Sequence, residues 1–212
     1  MKWFIDLGSH LFESIELFSR LVPDIEHWNV ISLEPAYDSD SKEHIDSFLE
    51  SNELVKKFAS FSFLPLAVST YTGIAHFKRD YSYPLSGSSS LIQHKPLHKY
   101  STIILPCIDI LSLINFTRPS DTVLVKMDIE GSEYAIVDRL ASSGLLSRVS
   151  SLFIELHEYK LHRDINLDYT LLQQVRSHNV QLFEWESQNL SFASTFLDLK
   201  RIDEDYIQAL YE

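Results

Sequence analysis

Apolar residues along this chain fall into short runs closed by turn residues, and between the runs they return every three or four positions. Residues 3–7 form the first run, closed by Gly8, after which Leu11, Ile15, Leu17, Phe18 and Leu21 repeat at helical spacing. This predicts strand, turn and helix, with Pro23 ending the helix. Residues 30–33 predict a second strand that stops at Glu34 and Pro35. The stretch 39–58 is charged on one side and apolar at Ile45, Phe48, Leu49, Leu54 and Val55, a helical pattern with a break near Ser51 and Asn52. Residues 61–69 predict a third strand, and 73–78 an extended piece after the turn at Tyr71, Thr72 and Gly73.

Residues 81–100 hold no steady period, because Pro84, Gly87, Ser88, Ser89, Ser90 and Pro96 interrupt it, and they read as a loop or lid. Residues 103–114 lead through Arg118, Pro119, Ser120 and Asp121 to an apolar strand over 123–127. A helix over 134–140 ends at Gly144, and a strand over 152–156 carries Glu155 and His157 at its end. After a helix near 169–177, the runs 180–185 and 195–199 predict two closing strands near enough to pair antiparallel. Strand and helix alternate five times before that pair. The fold class is therefore α/β, a mostly parallel sheet with right-handed crossovers and helices on both faces.

Length and charge narrow the picture. With 212 residues and 45% hydrophobic content, one domain over 1–212 is expected. The formal net charge of -12 repels phosphate backbones, and Lys and Arg form no stripe, so no nucleic-acid partner is expected. Cys107 is the only cysteine, which excludes an internal disulfide and a multi-cysteine zinc site; it reads as a small buried apolar residue. No basic, apolar leader and no membrane-length run is present, so a soluble, intracellular, cytoplasmic protein without membrane insertion is expected. A strand beginning at Trp3 also fits one module of a longer polypeptide. Oligomeric state is not readable.

The segment VKMDIEGSEY, residues 125–134, runs an apolar strand into Asp128, Glu130 and Glu133, with Gly131 supplying the turn. In open α/β sheets ligands bind at the carboxyl ends of strands. Asp128 and Glu130 together read as functional there, whereas Glu133 alone reads as a helix cap. Three other strand ends are polar: Asp6 with Gly8, Glu34, and Glu155 with His157. Acids on four strand ends describe one binding crevice. Glu34, closing the second strand, suits the two hydroxyls of a ribose. Gly8 allows close approach of a ligand, and the turn at Ser9 and His10 is expected to leave amides free. The dinucleotide pattern G-x-G-x-x-G is missing after Gly8, as is a Walker sequence, so NAD and a phosphate-loop site are disfavoured.

These residues resemble the FkbM-type methyltransferases, enzymes that use S-adenosylmethionine and commonly methylate sugar hydroxyls. The resemblance rests on FIDLGS at 4–9, LEP at 33–35, AVST at 67–70 with Gly73, SGSSSL at 86–91, VKMDIEGSEY, GLL at 144–146 and LFIELH at 152–157. It implies a class I, Rossmann-like three-layer sandwich: a mostly parallel seven-stranded sheet with an antiparallel last strand. It places Asp6, Gly8 and Ser9 around the methionyl part of S-adenosyl-L-methionine, Glu34 on its ribose, and Ala67 and Val68 near the adenine. Asp128 closes the far side, facing the acceptor. The family usually has a second glycine where Phe12 stands, and a side chain there is expected to crowd the cofactor turn.

The implied activity is O-methyl transfer to a sugar hydroxyl of a glycan, such as that of a 6-deoxyhexose like rhamnose. The alternatives are a non-catalytic cofactor-binding domain or a non-sugar small-molecule acceptor. Direct displacement needs the acceptor oxygen, methyl carbon and sulfur in line, and a base assists a hydroxyl. His157 is the preferred base, its unperturbed pKa lying nearest physiological pH, with Asp128, Glu130 and Glu155 the other catalytic candidates. A divalent metal on Asp128, Glu155 and His157 is the competing arrangement and is not favoured. Ser88 and Ser89 in the serine segment and Tyr159 after the fifth strand are candidate substrate contacts.

Overall fold

Six of the apolar runs lie side by side as strands of one parallel sheet. The structure is a computed structural model and describes residues 1–38, 41–81, 89–92, 100–157, 164–185 and 199–211. In chain order the elements are β1 (Lys2–Leu7), α1 (Glu13–Leu21), β2 (Trp28–Leu33), α2 (Lys42–Ser51), β3 (Ser60–Leu64), β4 (Ala67–Ser69), β5 (Gly73–Asp80) and β6 (Tyr100–Asp109). They continue with α3 (Ile110–Phe116), β7 (Thr122–Met127), α4 (Glu133–Ser142), β8 (Ser151–Ile154), α5 (Ile165–Ser177), β9 (Gln181–Glu184) and α6 (Glu204–Tyr211).

The main sheet has the order β3-β2-β1-β7-β8-β9, with every neighbouring pair parallel. The chain builds outward from β1 to β3, then returns to the other side of β1 to place β7, β8 and β9. The reversal between β1 and β7 is the switch point at which such sheets open a crevice.

Alternation along the strands divides the core between two faces. Trp3, Ile5 and Leu7 of β1 join Val123, Val125 and Met127 of β7 against α3, α4, α5 and α6. Phe4, Val30 and Leu124 face the other way and pack against α1 and α2. Helices on both faces give the expected three layers. Val22 takes an extended backbone before Pro23 and ends α1, as the residue preceding a proline favours.

The fold differs from expectation in two places. Residues 61–69 are not one strand: Pro65, which has no N–H for a ladder, divides β3 in the main sheet from β4 in a second, three-stranded sheet of order β4-β6-β5. Among the described residues the main sheet holds six parallel strands, and the expected antiparallel last strand falls almost wholly outside them. Of the expected strand over 195–199, residues 195–198 lie outside the described residues. Just beyond it, Arg201 forms an antiparallel bridge with Phe183. The second difference is α6, capped by the Asp203 carboxylate accepting the Tyr206 amide at 2.9 Å. No helix among the described residues is long and apolar enough to cross a membrane.

Candidate functional site

β1 and β7 end side by side, and Gly8 meets Asp128 there. Gly8 has φ +78°, and a Cβ on it would fall 1.9 Å from the Asp128 carbonyl oxygen, so the turn admits only glycine. The Asp128 amide donates to the Leu7 carbonyl at 3.1 Å and extends the strand contact one step beyond the last register pair. The turn amides are not free, contrary to expectation. Ser9 donates its amide to the Leu33 carbonyl at 3.0 Å, and His10 donates its amide to a Glu34 carboxylate oxygen at 2.8 Å.

Behind this turn lies a row of buried polar groups. Ser32, Asp6 and Lys126 are register neighbours across β2, β1 and β7, on the face that also carries Phe4 and Leu124. Lys126 Nζ donates to the Gly8 carbonyl at 2.5 Å and lies 3.5 Å from Asp6 Oδ1 and 3.7 Å from Asp128 Oδ2. Burial pulls the Lys126 ammonium down, but Asp6, Asp128 and Glu34 outweigh it and hold the pKa above its ordinary value. Burial pushes the Asp6 carboxyl up against Lys126, Ser14 and Ser9. The Ser14 hydroxyl, on α1, donates to Asp6 Oδ2 at 2.5 Å. The Ser9 and Ser32 hydroxyls are 2.5 Å apart.

The ends of β7 and β8 carry a second polar group. Glu133, fully buried at the start of α4, accepts the amides of Ile129 and Gly131, each at 2.8 Å. It therefore does cap, as expected. It also lies 2.9 Å from His157 Nδ1 through Oε1, a contact the sequence pattern does not reveal. The other ring nitrogen, His157 Nε2, faces Glu130 Oε2 at 3.5 Å, Glu155 Oε1 at 3.6 Å and Asp128 Oδ1 at 3.8 Å. Burial alone would lower the His157 pKa, but Glu133 first, then Glu130 and Asp128, push it up to about 9. The unperturbed pKa that recommends His157 as a base does not hold in this setting. In the metal-free chain the surrounding carboxylates favour the imidazolium form.

Two chambers open over these strand ends and share Gly8, His10, Glu34 and Asp128. One is walled by Leu33, Ala36, Leu66, Ala67, Val68, Phe77, Leu91 and Ile129. The other, the roomier at about 280 Å³, is lined by Glu13, Glu130, Glu155, Lys126, Ser9 and Trp185. Glu34 stands between them, with Oε1 accepting the Ala36 amide and Oε2 the His10 amide, both at 2.8 Å. Burial pushes its carboxyl up, against those two hydrogen bonds.

Gly8, Glu34, Ala67, Val68, Asp128 and Ser89 thus border the apolar chamber, and Ser9, Glu130 and Glu155 the polar one. Asp6 and His157 line neither; they stand behind the surfaces that do. Ser88 and Tyr159 lie outside the described residues. Asp128, Glu130 and His157 offer ligand atoms all within 4.8 Å of one another and can hold a metal ion. Phe12 does not crowd the cleft. Its backbone takes the left-handed conformation, φ 71°, and turns the ring into the core, stacked on Phe48 at 4.3 Å and edge-on to Phe63 at 5.5 Å.

Lys126 and Arg79 also belong to the site's surroundings, although the sequence reading did not single them out. Lys126 is the one charged residue of β7, and that interruption of an apolar run is its signal. Arg79 is almost fully buried at the end of β5, where Nε donates to Asp38 Oδ2 at 2.7 Å and Nη1 to the Ser89 hydroxyl at 3.1 Å.

Residues 15–182 match the family described as Methyltransferase FkbM domain. Among solved structures, the methyltransferase FkbM from Methylobacillus flagellatus KT is similar at 11% identity and a TM-score of 0.38, the match covering 99% of this chain and 38% of that one. This chain therefore spans well under half the length of that protein. No curated protein matches it.

Proposed function

The chain belongs to the FkbM methyltransferase family, and from that premise we propose that it is an S-adenosylmethionine-dependent O-methyltransferase acting on a sugar hydroxyl. The observation that carries this reading is the pair of chambers joined at Glu34, one apolar and one acidic. The donor set fits the cofactor. Ala67, Val68 and Leu33 offer flat apolar walls to an adenine. Glu34 is fixed by two backbone amides, and its remaining lone pairs suit two ribose hydroxyls. The acidic chamber favours the cationic methionyl end. When bound, S-adenosylmethionine supplies an electrophilic methyl carbon on sulfur.

The chain's own residues then have to orient an acceptor oxygen toward that carbon and exclude water. Asp128, whose side chain is 31% exposed, stands on the shared wall and can accept a hydrogen bond from the acceptor hydroxyl. Trp185 gives the polar chamber an aromatic wall, which suits the C–H face of a sugar such as a 6-deoxyhexose. The net charge of -12 supports a glycan or small-molecule acceptor over a nucleic acid.

The test is calorimetry with S-adenosylhomocysteine followed by incubation with labelled S-adenosylmethionine and a panel of deoxyhexosides. Binding and label transfer to a sugar are expected. No binding would end the methyltransferase reading for this chain, and transfer only to non-sugar acceptors would end the saccharide part of it.

A further inference from the structure

We propose that Asp128, Glu130 and His157 bind one divalent transition-metal ion at the polar end of the cleft. The site deepens the methyltransferase reading and rests on it only in being placed beside the acceptor. His157 carries the case. Its side chain is only 3% exposed, and its Nδ1 is already bonded to Glu133 at 2.9 Å, so Nε2 is aimed outward into the carboxylates.

Nδ1 closes on Glu133 as a charge-assisted pair does, at 2.9 Å, whereas Nε2 closes on no single oxygen. Among the described residues Nε2 has no hydrogen-bond partner and stands back from three oxygens at nearly equal distance, 3.5 Å, 3.6 Å and 3.8 Å. Ligands held by one ion at about 2.0–2.2 Å lie roughly 3.0–3.6 Å from one another, so a small inward movement completes a coordination shell. Asp128 is divided to suit this: Oδ2 faces Lys126 and Oδ1 faces His157, leaving Oδ1 on the side of the site.

The surroundings hold the imidazole as a metal ligand needs. A ligating histidine usually gives its second nitrogen to a carboxylate, which fixes ring orientation and tautomer. Glu133 takes that place and is itself immobilised by the Ile129 and Gly131 amides. One nitrogen with carboxylate oxygens suits manganese, cobalt or zinc better than magnesium, which prefers oxygen alone. Glu155 Oε1, 3.6 Å from Nε2, borders the same site. The ion would add positive charge to the chamber that receives the acceptor oxygen.

The experiment uses the whole chain stripped with EDTA and titrated with manganese chloride, bound metal being read by electron paramagnetic resonance and equilibrium dialysis. One ion per chain is expected, bound at least about tenfold more weakly by His157→Gln and by Asp128→Asn. A wild-type chain that binds neither manganese nor zinc, or variants that bind as tightly, would overturn the site. Should those variants fail to fold, nitrogen modulation in the spin echo of wild-type bound manganese decides: present with an imidazole ligand, absent without one. Calorimetry with S-adenosylhomocysteine on the stripped protein keeps the two readings apart. Cofactor binding without metal binding removes this site alone, and metal binding without cofactor binding removes the methyltransferase reading alone.

Discussion

His157 and Glu133, 24 positions apart in sequence, are joined inside the protein by a 2.9 Å contact between Nδ1 and Oε1. The contact ties the end of β8 to the start of α4. Because Glu133 also accepts two amides of the turn after β7, one buried carboxylate fixes the ends of both strands that carry the acidic cluster.

The metal-free chain should therefore lose stability in Glu133→Gln, by about 3 kcal/mol, as expected when a buried pair loses one partner. The direction with pH is set by the two shifts. The His157 pKa is raised from 6.5 to about 9, so its contribution is full below about 6.5 and is lost as pH rises through about 9. The Glu133 pKa is lowered from 4.5: burial raises it, but His157 and the turn amides prevail. Its contribution is present above 4.5 and lost as pH falls through the folded value. Urea midpoints of wild type and variant in EDTA should differ most between about pH 4.5 and 6.5 and converge towards pH 9. Equal midpoints at pH 6 would show that the pair does not stabilise the fold.

Gly8→Ala tests the switch point. The new methyl group would lie 1.9 Å from the Asp128 carbonyl in a backbone with φ +78°, so both strand ends must shift. Strain and overpacking together should cost about 3 kcal/mol, and cofactor affinity should fall more than tenfold. An alanine variant that melts with wild type and binds S-adenosylhomocysteine normally would show that the turn is not close-packed.

Much of the sheet and its ligand edge is readable from the residues. Strand ends after Leu7, Leu33, Met127 and Ile154 are marked by apolar runs closed by Gly8, Glu34, Asp128 and Glu155, where the buried pattern gives way to a turn glycine or a carboxylate. The cap role of Glu133 is readable, but its contact with His157 and the role of Lys126 beside Asp6 are not, since both depend on partners brought in from distant elements. Phe12 departs from expectation for a related reason. Its position in the turn is evident, but the backbone torsion that sends its ring to Phe48 instead of the cleft is a property of the packed core. The second sheet is hidden because Pro65 divides what reads as one apolar run, and the loop-like stretch after β5 gives no sign that β6 returns beside it.

Phe12→Gly separates packing from cofactor fit. Glycine relieves a left-handed backbone worth about 1–2 kcal/mol, but deletion of a fully buried ring costs about 3–5 kcal/mol. The net loss should be about 2–3 kcal/mol in urea denaturation, with S-adenosylhomocysteine affinity unchanged in the folded protein. Tighter binding by the glycine variant would restore the view that Phe12 restricts the cofactor turn.

Glu34→Ala should leave the His10 and Ala36 amides without their acceptor and remove the group proposed to hold the ribose. Affinity for S-adenosylhomocysteine should drop at least about tenfold, as loss of a charged hydrogen-bonding group costs roughly 1.5–3 kcal/mol. Glu34→Gln, which keeps one acceptor oxygen, should fall between. Calorimetry giving wild-type affinity for the alanine variant would take Glu34 out of the cofactor site.

Arg79 joins three segments around the apolar chamber without lining it. Its guanidinium reaches Asp38, which lies beyond Glu34 and Ala36 on the loop after β2, and the hydroxyl of Ser89, which borders the chamber from the serine segment. The same Ser89 hydroxyl accepts the Asp80 amide at 3.0 Å, so the end of β5 is held in the same knot. Arg79→Met keeps much of the apolar stem and removes the fork that makes these bonds, whereas Arg79→Lys keeps a charge without the fork. Both walls of the chamber should then be held less firmly. Methionine should weaken S-adenosylhomocysteine binding about tenfold and lysine less, each with a smaller loss of overall stability than Gly8→Ala produces. If the methionine variant binds as wild type does while its melting temperature falls, Arg79 supports the fold alone and has no part in shaping the cleft.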